Sequence, residues 1–221
     1  VMVSGEYPPR WGGMGSVVFH LAGHLAQRGH KVTVITRKHK SMPPTQPGVE
    51  VIPVRWTPLP MAFTRSFGKN ALKALIKLNR RRSIDVVNAH LPLVSWTKSQ
   101  FKFIEKNIAS VVSTLNGSWV GEKEGVRRAA MNRETATWRN PNDLAIRLTS
   151  WWYKRYERNG ILESTCSVAI SRSTLEEFHE FYKIPEDSDI EVIHYGCDQR
   201  VFRPPDKDNE SEQLSHERIR K

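Results

Sequence analysis

The sequence predicts an α/β protein, a three-layer sandwich around a central parallel sheet of six or seven strands. Three observations predict it. Short β-branched runs recur along the chain, as in Val32-Thr33-Val34-Ile35-Thr36 and Ser110 to Leu115. Stretches with apolar residues at helical spacing separate many of them. The residues least suited to a core, a glycine-rich loop, His90 and Asn116-Gly117, follow the ends of those runs. Open parallel sheets bind ligands at the carboxyl ends of their strands.

The elements follow in order. Val1-Met2-Val3 is a short strand, Ser4 to Gly15 a long turn, and Val18, Leu21, Ala22 and Leu25 mark a helix. Arg28-Gly29-His30 stops that helix at a glycine and Val32 begins the next strand. Val49 to Val54 is a strand interrupted by Pro53, which places it near a sheet edge. Arg55 to Phe63 reads as a loop with exposed apolar residues, and Phe67 to Arg82 as a helix. That helix carries Leu72, Leu75 and Ile76 on one side and Lys69, Lys73, Lys77, Arg80 and Arg81 on another. Asp85 to His90 is a strand, Pro92 to Asn107 a helix, and Ser110 to Leu115 a strand. Residues 121–140 are polar, basic and unassigned. Asn142 to Asn159 is helical, with Trp151-Trp152-Tyr153 divided between core and interface. Ser167 to Ile170 and Ile190 to His194 are strands, and Ser173 with Glu176 forms a capping box opening a helix to Tyr182. From Pro205 the pattern ends, although Leu214 to Lys221 reads as the start of a helix. One domain is therefore expected over 1–203, with 204–221 a linker into something further.

Composition narrows the partners. A formal charge of +11 favours an anion: a nucleotide, a phospholipid surface or a nucleic acid. Two distant cysteines, Cys166 and Cys197, do not suggest a disulfide scaffold. No stretch is apolar enough to span a bilayer, and the start does not read as a signal peptide. A cytoplasmic protein is expected.

The chemistry concentrates in Glu6-Tyr7-Pro8-Pro9-Arg10-Trp11-Gly12-Gly13-Met14-Gly15. Glycines let a backbone approach a ligand closely, and these stand at the mouth of a helix, where unpaired N–H groups favour an anion. Gly12, Gly13, Met14 and Gly15 are thus candidates for holding a phosphate, with at least one glycine expected in a conformation closed to other residues. The alternative is a loop that only turns the chain. The Lys69 to Arg81 stripe beside the aromatic loop suits the surface of an anionic membrane, and a solvated face is its alternative.

Other chemistries fit less well. His20 and His24 are spaced for a metal but lack the glutamate of the zinc-protease motif. Ser4 and Ser118 have no identifiable triad partners, and the glycine loop has no lysine–hydroxyl pair of a P-loop. A dinucleotide-binding turn would follow the first strand at once, and Thr36-Arg37-Lys38 offers no acid for a ribose. A nucleic-acid-binding module has only the net charge behind it.

Four segments together resemble glycosyltransferase family four, the large retaining group with the GT-B fold. They are the Glu6-to-Gly15 loop, Asp85-Val86-Val87-Asn88-Ala89-His90, Ser113-Thr114-Leu115-Asn116-Gly117, and Val192-Ile193-His194-Tyr195-Gly196-Cys197-Asp198 with Phe202-Arg203-Pro204. The resemblance implies the N-terminal, Rossmann-like half of a two-domain enzyme, inactive without its donor-binding partner domain. It implies a nucleotide-sugar donor, a lipid or glycan acceptor, no metal or other cofactor, no nucleic acid, and transfer with retention. Its glycine loop approaches the donor diphosphate, with Glu6, Arg10 and Gly117 touching acceptor or sugar. His90 and Asn116 stand at the positions nearest the reaction. Two departures bear on it: Asn116 replaces the family's histidine before glycine, and Asn88 the first histidine of His-x-His. Asparagine hydrogen-bonds but moves no proton near neutral pH.

Overall fold

The computed structural model describes residues 1–9, 12–41, 43–134 and 137–196. Seven strands form one sheet: β1 (Met2–Val3), β2 (Val32–Arg37), β3 (Val49–Val54), β4 (Val86–Leu91), β5 (Ser110–Leu115), β6 (Cys166–Ala169) and β7 (Ile190–Val192). Their order is β3-β2-β1-β4-β5-β6-β7, and every neighbouring pair is parallel. The helices are α1 (Gly13–Gln27), α2 (Ala62–Asn79), α3 (Lys98–Asn107), α4 (Trp119–Met131), α5 (Pro141–Leu162) and α6 (Arg172–Tyr182), with a 3-10 turn at Thr137–Arg139. This is the expected Rossmann-like α/β sandwich. Strand order runs outward in both directions from the β1–β4 pair, and there the connections reverse, which is where such sheets open a crevice.

The central strands are legible because they are covered on both sides and therefore rich in apolar, β-branched residues. All six residues of β2 are buried. Met2, Val32 and Val34 point to one face and pack with Val18 and Ala22 of α1. Val3, Ile35, Ala89, Leu91 and Leu115 point to the other and pack with Phe67, Leu75, Phe101, Ile104 and Ile161 of α2, α3 and α5. Each such fully buried side chain contributes roughly 1.5–3 kcal/mol by leaving water. The Pro53 strand, β3, lies at the sheet edge as its proline requires.

Gly160 explains how α5 seats on the sheet. A β-carbon there would stand 2.6 Å from Leu91 Cδ1 and 3.3 Å from Phe101 Cζ. The close approach lets Ser113 Oγ donate to the Gly160 carbonyl at 2.9 Å.

Several expected boundaries shift. The helix expected from Phe67 starts at Ala62, after Met61 at φ 59°. The loop before it is not uniformly exposed: Met61 is buried, Trp56 and Phe63 are half-buried, and Leu59 stands out. The helix expected from Pro92 begins at Lys98, capped by Thr97 and Gln100 in a capping box. Residues 91–96 are instead buried, with a bend at Pro92-Leu93 and no helix, and their apolar run reflects burial rather than helical spacing. Residues 119–131, unassigned from sequence, form α4, capped by Ser118 Oγ accepting from Gly121 N at 2.9 Å. The last helix is capped by Ser171, which accepts from Thr174 N at 3.1 Å, not by the Ser173–Glu176 pair. The boundary at 203/204, the Cys197-Asp198 and Phe202-Arg203-Pro204 parts of the last motif and the Leu214 helix lie outside the described residues.

Candidate functional site

Because all strands are parallel, their carboxyl ends share one edge, and the sequence-predicted residues gather there. The chain leaves β1 at Ser4, whose hydroxyl donates to Glu6 O at 2.7 Å and accepts from Glu6 N at 3.2 Å. Arg37, at the end of β2, donates from Nε to Gly5 O. These bonds hold the loop over the sheet edge. Gly12 caps α1 in extended backbone (φ −139°), and Ser16 N makes the first helical bond to Gly12 O at 3.0 Å.

One expectation about the glycines is corrected. None of Gly12, Gly13 and Gly15 has positive φ; among the described glycines only Gly29 and Gly48 do. Gly15 lies inside α1. Space rather than backbone strain explains Gly12: a β-carbon would collide with the Glu6 carboxylate. Gly13 faces open space, with nothing within 4 Å of where a β-carbon would stand. Glu6 Oε2 accepts from Gly15 N at 3.4 Å, so the helix mouth already holds one carboxylate. Arg10 lies outside the described residues.

His90 is fully buried near the end of β4, and neither ring nitrogen has a geometric hydrogen-bond partner. Burial lowers its pKa to about 4, with the nearby Asn116 amide opposing this in part. The ring is therefore neutral at pH 7. Asn116 follows β5 and is fully engaged. Its Nδ2 donates to Leu91 O at 3.0 Å and Thr114 O at 3.1 Å, and its Oδ1 accepts from the Tyr195 hydroxyl. The amide thus ties together the ends of β4 and β5 and the segment after β7. Burial pushes the Tyr195 hydroxyl up to about 12, so it remains a donor. Asn88 does similar work one turn of the pleat earlier, donating to Val112 O at 3.1 Å and Thr114 Oγ1 at 2.8 Å. Gly117, next to Asn116, faces open space.

Sequence reasoning missed the support beneath this edge. Glu157 of α5 is buried, accepting from Trp119 N at 3.0 Å and from the Tyr182 hydroxyl at 2.7 Å. Burial raises its pKa to about 8. It holds the first turn of α4 against α5 and α6. Ser118 donates to Glu177, and burial, followed by the charges of Glu177 and Glu6, raises the pKa of Glu122. Acidic groups, Glu122, Glu157 and Glu177, therefore gather around the start of α4, with Lys154 close to the Glu157–Tyr182 pair.

A cleft of about 410 Å³ opens beside the glycine loop. It is lined by Arg37, Trp56, Pro58, Leu59, Pro60, Met61, Phe63, Trp119, Asn142 and Ile146. Arg37 stacks over Trp56 at 4.9 Å and over Phe63 at 4.7 Å. Met61, Leu93 and Trp119 form one apolar cluster, and Met14 of the glycine loop packs against it. Cleft and loop thus share a wall. The sequence signal was the aromatic Arg55–Phe63 stretch, read there as part of a surface rather than a cleft.

Lys69, Lys73, Lys77, Arg80 and Arg81 are all exposed along α2 and its C-terminal end, away from these contacts. Among the described residues, no three His, Cys, Asp or Glu side chains are grouped to hold a metal ion, and no helix is long and apolar enough to cross a membrane.

Comparison with known proteins agrees with this architecture. The glycogen synthases of two Mycobacterium tuberculosis strains, CDC 1551 / Oshkosh and ATCC 25618 / H37Rv, are 30% identical over 222 aligned positions. The alignment covers 90% of this chain, which spans about half (48%) of the length of those relatives. A sucrose-phosphate synthase from Thermosynechococcus elongatus superposes with a TM-score of 0.69 at 15% identity, over 92% of this chain and 49% of its own. WaaG, a glycosyltransferase involved in lipopolysaccharide biosynthesis, superposes with a TM-score of 0.58 at 16% identity, over 99% and 50%. The family model Glycosyltransferase Family 4 matches residues 11–200, and the chain belongs to that family.

Proposed function

We propose that this chain is the acceptor-side half of a retaining glycosyltransferase that moves a sugar from a nucleotide-sugar donor to a glycan or lipid acceptor. The observation that carries the reading is the shared wall of Met14, Met61, Leu93 and Trp119. It sets an aromatic cleft beside a glycine loop at the carboxyl edge of a parallel sheet. An acceptor ring stacked on Trp56 and Phe63, with Asn142 and Arg37 as polar partners, would present a hydroxyl toward Gly13. The donor diphosphate would take the N–H groups at the mouth of α1, where the open side of Gly13 leaves room. The name of the glycogen synthase relatives supports a glycan acceptor.

The protein's own groups shape this site more than they move protons. Asn116 ties the strand ends with its amide, and His90, fully buried with its pKa lowered to about 4, is a neutral but weak base shut off from solvent. The donor phosphate would then take the acceptor proton, consistent with retention. Glu6 and Gly117 would contact the sugar or acceptor at the rim; Arg10, outside the described residues, is a third contact implied by the resemblance. No cofactor beyond the donor is needed, nucleic acid is not a substrate, and the work is cytoplasmic. This half alone has no turnover.

The test is transfer by the intact protein with a panel of nucleotide sugars, using α-glucan and glycolipid acceptors, and product configuration read by NMR. Transfer with the donor's anomeric configuration kept supports the reading. Inversion would remove retention. Absence of both transfer and nucleotide-sugar binding would remove the enzyme assignment.

A further inference from the structure

The outer face of α5 is apolar where a water-facing helix is normally polar. Leu144, Leu148 and Trp151 follow at helical spacing and are 41%, 62% and 66% exposed, with Trp152 beside them at 45%. The inner face is occupied: Ala145, Ile146 and Tyr153 pack against the Met61–Leu93–Trp119 cluster. Exposed Arg147 and Arg155 flank the outer stripe, and the Arg155 guanidinium lies 3.4 Å from the Trp152 ring centroid. Along α5 the carboxylates are Asp143, half-buried in the first turn, and Glu157, buried on the opposite side, so beyond the first turn the outer face carries no acid.

Large apolar side chains rarely gather on a monomer's surface without a partner. The charge around this patch identifies the partner. A helix with Leu and Trp along one line, arginines beside them and no exposed acid suits the headgroup boundary of an anionic bilayer. Tryptophan favours that depth because its ring is apolar and its N–H stays hydrated. The basic stripe on α2 has only Leu59 exposed in the loop beside it, since Met61 is buried and Phe63 packs under Arg37. The patch also leads to the cleft, since Asn142 and Ile146 at the start of α5 line it.

We propose that α5 lies along an anionic membrane surface, with Leu148 and Trp151 in the headgroup boundary and Arg147 and Arg155 on lipid phosphates. The proposal does not depend on glycosyl transfer, and its test involves no turnover. The full chain is sedimented with vesicles of phosphatidylcholine, alone or mixed with phosphatidylglycerol. Binding is expected to the mixed vesicles and to fall with salt. Arg147→Glu with Arg155→Glu, and separately Leu148→Ser with Trp151→Ser, should each weaken it by roughly tenfold or more. The exposed pair Lys73→Glu with Lys77→Glu carries the same charge change and should weaken it by clearly less. Melting curves confirm that each variant is folded. Equal loss from the α2 and α5 charge variants would reduce the effect to net charge and overturn the proposal. So would equal binding to neutral vesicles, or a concentration-dependent dimer dissolved by Leu148→Ser with Trp151→Ser, which would give the face to a second copy.

Discussion

The Glu6 carboxylate caps the Gly15 amide at 3.4 Å and lies against Gly12, so the mouth of α1 carries its own anion. A donor diphosphate arriving there meets a like charge. Glu6→Gln should therefore tighten nucleoside-diphosphate binding to the intact protein by a few-fold. It should also cost about 0.3–1 kcal/mol of stability, since glutamine keeps an acceptor and only the charge at the helix mouth is lost. Calorimetric titration and a denaturant melt measure the two effects. Weaker binding in the variant would mean that the carboxylate contacts the ligand favourably instead.

Close packing at Gly160 gives a stability prediction. A methyl group there would press on Leu91 and Phe101, which are both fully buried. Gly160→Ala should destabilise by about 1–3 kcal/mol through overpacking. Gly117→Ala, which meets nothing within 4 Å, should stay within about 0.5 kcal/mol of wild type. Urea midpoints of the two variants check the contrast, and equal midpoints would refute the described seating of α5.

Glu157 predicts a loss of stability as pH rises from about 4.5 to 8. Its folded pKa, about 8, lies above the ordinary carboxylate value near 4.5, so the native state holds a proton that the unfolded state has released. This contribution is fully present below about pH 4.5 and is lost as pH rises toward 8. The total is on the order of a few kcal/mol. Glu157→Gln, which keeps an acceptor for Trp119 N and never ionises, should flatten the fall between pH 6.5 and 8. An unchanged slope would show that the carboxyl titrates normally.

His90 acts with the opposite sign. Its pKa of about 4 lies below the ordinary 6.5, so the unfolded state takes up the proton first. Its contribution is present above pH 6.5 and declines as pH falls toward 4. His90→Gln should reduce that acid-side decline, seen as a flatter melting midpoint between pH 6.5 and 4. In the intact enzyme, a rate limb near pH 6.5 that vanishes with His90→Gln would instead make His90 a titrating group in the reaction.

The strands were legible because burial on both faces leaves an apolar, β-branched run, and Ser110–Leu115 has the bounds its sequence announces. Helix starts were less so. Pro58 and Pro60 mask the entry to α2 at Ala62, and Leu93, Val94 and Trp96 imitate a helical pattern while being buried in a non-helical bend. The glycine loop and Asn116 were visible as odd residues after strand ends. The cleft was not, because Arg37, Met61, Trp119 and Ile146 come from four distant segments that only the fold brings together. Glu157 was invisible for another reason: a carboxylate in a helix normally faces water, and only packing shows that this one does not.

The most direct measurement is the paired initial rate and melting midpoint of Gly13→Ala in the intact protein. The backbone at Gly13 is not left-handed, and a methyl group would meet nothing within 4 Å, so the midpoint should not move. With the donor placed as proposed, the methyl would stand between the diphosphate and the α1 amides, and the transfer rate should fall by roughly tenfold or more, about 1.4 kcal/mol of barrier. An unchanged rate in the folded variant would mean that the loop only turns the chain. That result would contradict the placement of the donor at the glycine loop, on which the account of the site rests.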